Sequence, residues 1–471
     1  MVGSRGPRTS TRAMHRTGRG CAHPEGTDEL TDVSAASAVS GTLLDGAAAL
    51  GPWPQVMDNP VRHYDWGSFT ALPRLQGRTP SGRPEAELWM GAHPSAPSRL
   101  LGPTDASEPS APTTPQSPPV RLDQLVQERP LDLLGAEVHD RFGARLPFLL
   151  KILAIAQPLS VQVHPTADRA RTAYEGEATV PGEHRYVDPF AKPELLYALE
   201  PVDAMCGFRP AERALYLLTL LGGHRMTRLA EPLTGDGSES ERLEAVFERL
   251  VTWPDDDRPD LVAEVAAAGR RLLAGAGPHR DGGALSPDDR RALTWAVRLC
   301  HQHPKDPLVA APFVLDLVRV DAGQTLFVPA GAPHAYLYGL AVEIMGNSDN
   351  VLRAGLTHKP IAIEELLHVV HGGSRPERDL PEHWVSPYEV IWSPGVPEFR
   401  LSRVWLADDG PVAAYPQIAG PQIILCTAGT VHAECAGHRV ELTPGRSAFV
   451  GASGGPVTLT GPGEVFRAFA G

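Results

Sequence analysis

Short apolar runs between turn-forming residues characterise residues 64–208 of the chain. In "PLSVQVHP", residues 158–165, β-branched valines alternate with polar side chains between two prolines, which is typical of a short strand. Because successive strand side chains point to opposite faces, Ser160, Gln162 and His164 share one face. The pattern predicts an antiparallel β-domain in which one strand carries a row of polar side chains.

The pattern changes between residues 210 and 303, where apolar residues recur at helical spacing. The segments "AERALYLLTLLGG" and "DLVAEVAAAGRRLLAGAG" combine this spacing with good helix-forming residues. In "SPDDRRALTWAVRLC", Ser286 stands at the N-cap position and is followed by proline and two acids, which predicts a helix start. Residues 209–304 are therefore predicted to form an α-helical domain inserted between strands.

Short strands resume at "FVLDLVRVDAGQTLFVPAGAPHAYLYG" and again from about residue 385 onward. "DAGQTLFVPAGAPH" and "LTPGRSAFVGASG" share a rhythm of turn, strand and turn, which indicates two related jelly-roll β-sandwiches. The predicted fold class is therefore mainly β with an α-helical domain, that is, two jelly-roll sandwiches plus a helical insertion. The expected parts are an extension, 1–56, and four folded segments. Segments 57–208 and 305–365 form the first sandwich, 209–304 is helical, and 366–471 forms the second sandwich.

Residues 1–56 are rich in Gly, Ser, Thr, Arg and Ala and show no sustained periodicity, which is typical of a disordered extension. Met57 is the expected start of the folded part, and "GPTDASEPSAPTTPQSPP", residues 102–119, is predicted to be a loop. No apolar run reaches membrane-spanning length, and the five cysteines form no CxxC pair. We therefore expect a cytoplasmic monomer in a reducing compartment.

The formal net charge of −13 argues against a nucleic-acid or anionic-membrane partner, because such partners require an extended basic surface. A small phosphorylated substrate is compatible with this charge if a few cations cluster locally. Lysine is rare among the 43 basic residues and occurs at four positions: Lys151, Lys192, Lys305 and Lys359. Because lysine is a compact, titratable amine and arginine is not, these positions are candidates for specific chemistry.

Candidate metal ligands recur at strand positions. Gln162 and His164 share a strand face, Glu194 follows in "KPELLYAL", and His334 and Tyr336 alternate onto one face of "PAGAPHAYLYG". Two imidazoles, a carboxylate and an amide oxygen suit a divalent metal, with zinc the leading candidate and iron or manganese behind it. Spacing alone is also compatible with a structural role for each residue.

Several segments together resemble one enzyme family. In order along the chain they are "YDWGSFT", "AELWMGAHPSAPS", "LPFLLKILAIAQPLSVQVHP", "KPELLYAL" and "AVEIMGNSDNVLRAGLTHK". They resemble type I phosphomannose isomerase, and the match runs from about Asn59 to Lys359. The resemblance implies a cupin jelly-roll fold, one Zn²⁺ per chain, and interconversion of mannose 6-phosphate and fructose 6-phosphate.

The resemblance also implies roles for individual residues. The metal ligands fall on Gln162, His164, Glu194 and His334. The substrate contacts, including those to phosphate, fall on Lys151, Ser160, Lys359 and Tyr336. The active-site arginine falls on Arg353, and a further pocket carboxylate on Glu343. Many relatives have a histidine before Lys-Pro-Glu where this chain has Ala191, so a proton relay through that histidine cannot operate here.

Aldose–ketose isomerisation moves a proton between C1 and C2 through an enediolate. A metal or the cationic Arg353 would stabilise the negative charge that develops. The acid and base could be Lys192, Glu343 or a water on the metal, and the sequence does not choose among them.

Two other functions fit part of the pattern. An iron-dependent cupin oxygenase would use two histidines and a carboxylate, but it leaves Lys151, Lys359 and Arg353 without a role. A non-catalytic sugar-binding cupin would need the pocket but not the acid–base residues.

Overall fold

The computed structural model describes most of the chain, and its residue ranges are 50–101, 119–177, 185–275, 285–407, 413–414, 418 and 420–471. Residues 1–49 of the predicted extension and residues 102–118 of the predicted loop lie outside the described residues. Within the described ranges the fold is mainly β with a block of helices, as the sequence predicts.

The strands are short, apart from a few long central ones. In chain order they are β1 (Gln55–Asp58), β2 (Val61–Arg62), β3 (Glu87–Gly91), β4 (Arg99–Leu100), β5 (Val120–Arg121), β6 (Phe148–Ile155), β7 (Val161–Val163), β8 (Glu194–Ala198), β9 (Val202–Phe208), β10 (Leu315–Val320), β11 (Thr325–Val328), β12 (His334–Gly346), β13 (Leu352–Gly355), β14 (Glu377–Arg378), β15 (His383–Ser386), β16 (Glu389–Trp392), β17 (Arg400–Leu406), β18 (Ala413–Ala414), β19 (Gln422–Gly429), β20 (Val431–Cys435), β21 (His438–Leu442), β22 (Ser447–Val450), β23 (Thr458–Thr460) and β24 (Gly463–Phe469).

Helices concentrate in the middle of the chain, where the sequence predicts them. They are α1 (Ala71–Leu75), α2 (Leu122–Glu128), α3 (Pro130–Phe142), α4 (Ala167–Glu177), α5 (Ala211–Leu221), α6 (His224–Ala230), α7 (Glu239–Val251), α8 (Arg258–Leu273), α9 (Pro287–Gln302), α10 (Ala311–Val314) and α11 (Ile363–Val369), with 3₁₀ turns at Glu231–Thr234, Pro307–Ala310 and Ala452–Gly454.

The predicted start of α9 is confirmed, because the Ser286 hydroxyl accepts a hydrogen bond from the backbone N–H of Asp289. The helices from α5 to α9 bury their apolar faces in one core, which also receives Val161 and Val163 of β7. The helical block thus supports the rear of the strand that carries the polar row. None of the helices in the described ranges is long and apolar enough to cross a membrane.

Strand β12 is a central strand of an 11-stranded sheet. It pairs antiparallel with β6 and β8 along its second half and with β7 and β9 along its first half. Gly339 stands where the partners change, with φ of 135°, and a Cβ there would lie 2.7 Å from the carbonyl oxygen of Pro201. A side chain is therefore excluded at this crossing, and β12 continues from one set of partners to the other.

The second large sheet joins strands from both ends of the chain. Its order is β15-β16-β17-β24-β19-β22-β1-β4-β5, so three strands from the N-terminal part complete the C-terminal sheet. Gln55 lies opposite Phe449, and Leu50 is buried in the adjoining core. The folded part therefore begins before Met57, contrary to the expected boundary at residue 56. The remaining domain boundaries stay a prediction.

Candidate active site

Five strands of the 11-stranded sheet, β3, β6, β7, β8 and β12, contribute to a cavity of about 60 Å³. Its lining is unusually polar for a buried cavity. The lining residues are Glu87, Lys151, Leu153, Leu159, Ser160, Gln162, Lys192, Glu194, His334, Ala335, Tyr336 and Glu343. Eight of them are among the eleven site residues that the sequence predicts.

The polar row on β7 faces this cavity. Ser160 and Gln162 belong to its lining, and the Gln162 amide donates a hydrogen bond to the Ser160 hydroxyl at 3.2 Å. Val161 and Val163 are fully buried on the opposite side, against the helices. Strand alternation therefore separates an apolar rear face from a reactive front face, as the sequence pattern indicates.

Three of the predicted ligands form a compact, buried cluster. His164 Nε2 lies 3.1 Å from Glu194 Oε1, and His334 Nε2 lies 3.4 Å from Glu194 Oε2. The ligand atoms of all three residues lie within 4.8 Å of one another. Each imidazole directs Nδ1 to a backbone carbonyl, that of Asn350 for His164 and that of Ala332 for His334, so both Nε2 atoms face the carboxylate.

The cluster fits zinc. His164 Nε2 is fully buried and has no hydrogen-bond partner among the described residues, although Glu194 Oε1 is close to it. A buried polar atom without a partner costs about 1–3 kcal/mol, so this nitrogen requires a cation or donor that the side chains do not supply. Two ligands of a tetrahedral zinc lie roughly 3.3 Å apart, because each is about 2.0–2.1 Å from the metal, and the two separations in the cluster match this value.

Lys151 is held between two carboxylates on neighbouring strands. Its ammonium lies 3.3 Å from Glu343 Oε2 and 3.8 Å from Glu87 Oε2, and the register places Lys151 directly opposite Glu343. Burial opposes a charge on Lys151, but the carboxylates of Glu87 and Glu343 hold the pKa of its ammonium above the usual value. The lysine lines the cavity with its charge already compensated.

The carboxylates of the site differ in protonation. Burial raises the pKa of Glu343 to about 7, although the Lys151 ammonium opposes this shift. Burial also favours the neutral acid at Glu194, but Lys192, 3.1 Å away, and the two imidazoles hold the pKa of this carboxyl well below its usual value. Glu194 is thus an anion suited to a metal, whereas Glu343 is poised to exchange a proton near neutral pH.

His164 and Tyr336 are neutral groups in this environment. Burial lowers the pKa of His164 to about 4, and the Lys192 ammonium acts in the same direction. Burial and the nearby Glu194 carboxylate raise the pKa of Tyr336 well above its usual value. The Tyr336 hydroxyl lies 3.5 Å from Glu194 Oε2 and stays a hydrogen-bond donor.

Three predicted residues lie outside the cavity lining, namely His164 of the buried cluster, Arg353 and Lys359. Arg353 is half-buried on β13, in register with Gln162 of β7, and burial lowers the pKa of its guanidinium. Lys359 is exposed, and its backbone N–H donates to the hydroxyl of Thr357. The roles of Arg353 and Lys359 stay predictions.

The sequence reading missed Glu87, which lines the cavity, and a histidine–aspartate pair beside it. His93 Nε2 lies 3.3 Å from Asp349 Oδ1, and both residues border a second cavity of about 390 Å³. The available signal for Glu87 was an acid within the otherwise uncharged "ELWMG" strand, whose five residues are all buried. Acids in fully buried strands require a partner, here Lys151 and the indole N–H of Trp89.

Comparisons with known proteins place the chain among characterised relatives. A sequence profile described as "Phosphomannose isomerase type I, catalytic domain" matches residues 55–211. The mannose-6-phosphate isomerase of Escherichia coli (strain K12) is 34% identical over 427 residues, which cover 88% of this chain and 99% of that protein. The mannose-6-phosphate isomerase of Homo sapiens is 30% identical, with coverages of 87% and 96%. A crystal structure of zinc-bound mannose 6-phosphate isomerase superposes with a TM-score of 0.74 at 32% identity, covering 88% of this chain and 99% of that one.

Proposed function

We propose, since the chain belongs to the type I phosphomannose isomerase family, that it interconverts mannose 6-phosphate and fructose 6-phosphate in the cavity between β7, β8 and β12. The cupin fold predicted from the sequence is that of this family. The observation that carries the proposal is the His164–Glu194–His334 cluster with Lys192 and Glu343 on the same cavity wall. Similarity to the relatives supports the fold, and we assign the reaction to these side chains.

Zinc is the metal that suits this cluster. We assign His164, Glu194 and His334 as ligands, with the amide oxygen of Gln162 as the fourth protein ligand. When bound, zinc acts as a Lewis acid that stabilises negative charge on the substrate oxygens. Gln162 lies directly opposite His334 in the strand register, which keeps its side chain on the metal side of the sheet.

Glu343 is our candidate for the base that moves the proton between C1 and C2. Its pKa of about 7 lets the carboxyl accept and return a proton at neutral pH. Lys192 Nζ lies 3.1 Å from Glu194 Oε1 and can donate a hydrogen bond to a reacting oxygen. Arg353 would add a fixed positive charge for the enediolate.

The phosphate of the substrate is assigned outside the 60 Å³ cavity. Sites for ligands of this size usually enclose about 300 Å³ or more, so only the reacting end of the sugar fits among the metal ligands. The predicted phosphate contacts are Ser160 at the edge of this lining, the exposed Lys359, and Lys151. Lys151 is less suited to a phosphate, because Glu87 and Glu343 already compensate its charge. We further propose that the enzyme acts as a monomer in the cytoplasm.

The function is tested by metal analysis combined with a turnover assay on mannose 6-phosphate. We expect about one zinc per chain, loss of fructose 6-phosphate formation after chelation, and recovery on adding zinc. Full activity in metal-free protein would contradict the ligand assignment. Oxygen consumption with iron(II) and no isomerisation would instead identify an oxygenase.

A further inference from the structure

Two segments outside the catalytic cavity face each other: one leads to Glu194 of the metal cluster, and the other contacts His164 of that cluster. Residues 187–190 precede Lys192 and Glu194, and residues 347–350 connect β12 to Arg353 on β13. Polar side chains join the two segments, and three of the four residues in 347–350 are buried. We call Asp188, Ser348 and Asn350 the polar clamp.

The Asn350 side chain is the centre of the polar clamp. Its Nδ2 donates to the carbonyl oxygens of Asp188 at 2.7 Å and Phe190 at 2.9 Å and lies 3.1 Å from Asp188 Oδ1. Its Oδ1 accepts from the backbone N–H of Val187 at 3.1 Å. Asn350 is 1% exposed. Both ends of the amide are thus used to hold the opposite segment.

Asp188 and Ser348 add further hydrogen bonds between the segments. The Ser348 hydroxyl donates to Asp188 Oδ1 at 2.8 Å and also lies 3.2 Å from the carbonyl oxygen of Phe190. The backbone N–H of Asp349 donates to Asp188 Oδ2 at 3.0 Å. Ser348 Oγ in turn accepts from the backbone N–H of Asn350 at 3.1 Å. The network is fully connected, which restricts both segments to one relative position.

The polar clamp reaches the metal cluster through a single backbone atom. The carbonyl oxygen of Asn350 lies 2.9 Å from His164 Nδ1. A carbonyl oxygen only accepts, so Nδ1 carries the proton and Nε2 presents its lone pair towards Glu194. On the other side, three residues of chain separate Phe190 from Glu194. The clamp therefore contacts the supports of both ligands.

We propose that the polar clamp is a positioning device for the metal site: it fixes the tautomer and orientation of His164 and the separation of His164 from Glu194. The inference rests on the metal ligands proposed above. Residues that orient metal ligands affect metal affinity by about 10–100-fold, whereas residues that merely stabilise a loop affect folding alone. Zinc affinity distinguishes these two roles without any measurement of turnover.

The experiment compares three alanine variants of the full chain. Asn350→Ala removes the centre of the clamp, Ser348→Ala removes one of its hydroxyls, and Asn347→Ala is the matched control. Asn347 is likewise buried in the same segment, but its Nδ2 donates to the carbonyl oxygen of Leu146 instead of to residues 187–190. Zinc dissociation constants are measured by competition with a chelating indicator, and the visible spectrum of the cobalt(II)-substituted protein reports ligand geometry.

We expect Asn350→Ala to weaken zinc binding by about 10–100-fold, Ser348→Ala by several-fold, and Asn347→Ala by no more than about 2-fold, with an altered cobalt spectrum in the first two. If Asn350→Ala does not fold, Ser348→Ala decides the question. Zinc affinities and cobalt spectra equal to those of the wild type in a folded clamp variant overturn the proposal. Failure of the wild type itself to bind zinc refutes the ligand assignment instead, so the two failures are distinguishable.

Discussion

At the scale of single residues, charge compensation explains how a small buried cavity holds so many ionisable side chains. An isolated buried charge is costly, but Lys151 lies between Glu343 and Glu87, and Lys192 lies against Glu194. At Glu343 the Lys151 ammonium does not fully offset the effect of burial, so the pKa of the carboxyl is raised to about 7. Small changes of pH therefore protonate or ionise that carboxyl, which suits a base. Ionisation of the buried group lowers the free energy of unfolding.

Glu343 should make the stability of the metal-free protein depend on pH. Its pKa is about 7 in the folded protein and 4.5 as the ordinary value, so the folded state binds the proton more tightly than the unfolded state. Its stabilising contribution is present below pH 4.5 and is lost as the pH rises through 7. Glu343→Gln imitates the neutral acid and should remove this loss, which amounts to roughly 3 kcal/mol.

The measurement is chemical denaturation of wild type and Glu343→Gln at a series of pH values, both without metal. The difference between the two free energies of unfolding isolates Glu343, since all other groups are shared. If the free energies of unfolding of the two proteins changed with pH in the same way, the pKa of Glu343 would not be raised by its surroundings.

At the scale of elements, β12 organises the site because its two halves have different partners. His334 at its beginning lies opposite Gln162 of β7, and Glu343 near its end lies opposite Lys151 of β6. Gly346 ends the strand against the segment that carries Lys192. A Cβ at Gly346 would lie 2.7 Å from the carbonyl oxygen of Ala191 and 3.0 Å from the ring of Pro193. The absence of a side chain is what allows the two elements to approach.

Gly346→Ala should therefore displace the segment leading to Glu194. We expect a loss of about 1–3 kcal/mol in the free energy of unfolding, as for other overpacked sites, and a fall of 10-fold or more in kcat. Thermal unfolding and steady-state kinetics on mannose 6-phosphate measure the two effects. Gly176→Ala in α4 is the control, because among the described residues no atom beyond its own helix lies within 4 Å of the position of its new Cβ. Equal free energies of unfolding and equal kcat values in the two variants would show that the residues around Gly346 accommodate the added methyl group without cost.

At the scale of the whole molecule, the sheet that contains β1, β19 and β22 ties the N-terminal part of the chain to the C-terminal part. Gln55 and Val56 pair with β22, and Met57 and Asp58 pair with β4. Further contacts extend N-terminally, since the backbone N–H of Gly451 donates to the carbonyl oxygen of Pro52. The first described residues are therefore part of the folded core.

Two truncations should consequently behave differently. Removing residues 1–49 should leave turnover and unfolding temperature nearly unchanged, because their composition is unsuited to a core and the predicted site residues lie elsewhere. Removing residues 1–56 deletes half of β1 and the buried Leu50, and should lower the unfolding temperature by several degrees or more. Differential scanning calorimetry on both proteins checks this, and identical transitions would refute the structural role of residues 50–56.

The sequence by itself determined the local elements and the chemical character of the site. Period-two alternation assigned Gln162 to the polar face of β7, and the Ser286 cap located the start of α9. Motif order identified the family, and the polar residues on predicted strand faces included the candidate ligands His164, Glu194 and His334. These features depend on neighbouring residues in the chain, so they can be read from short stretches.

The tertiary structure decided which distant residues meet. Glu87 compensates Lys151 only because β3 and β6 pair side by side, and β1 is recognisable as a strand only because β4 and β22 flank it. Asn350 shows the same limit, since its contacts with residues 187–190 cross about 160 positions of sequence. Strand pairing and burial set these contacts and the resulting pKa values. No local sequence pattern encodes which strands pair or how deeply a side chain is buried.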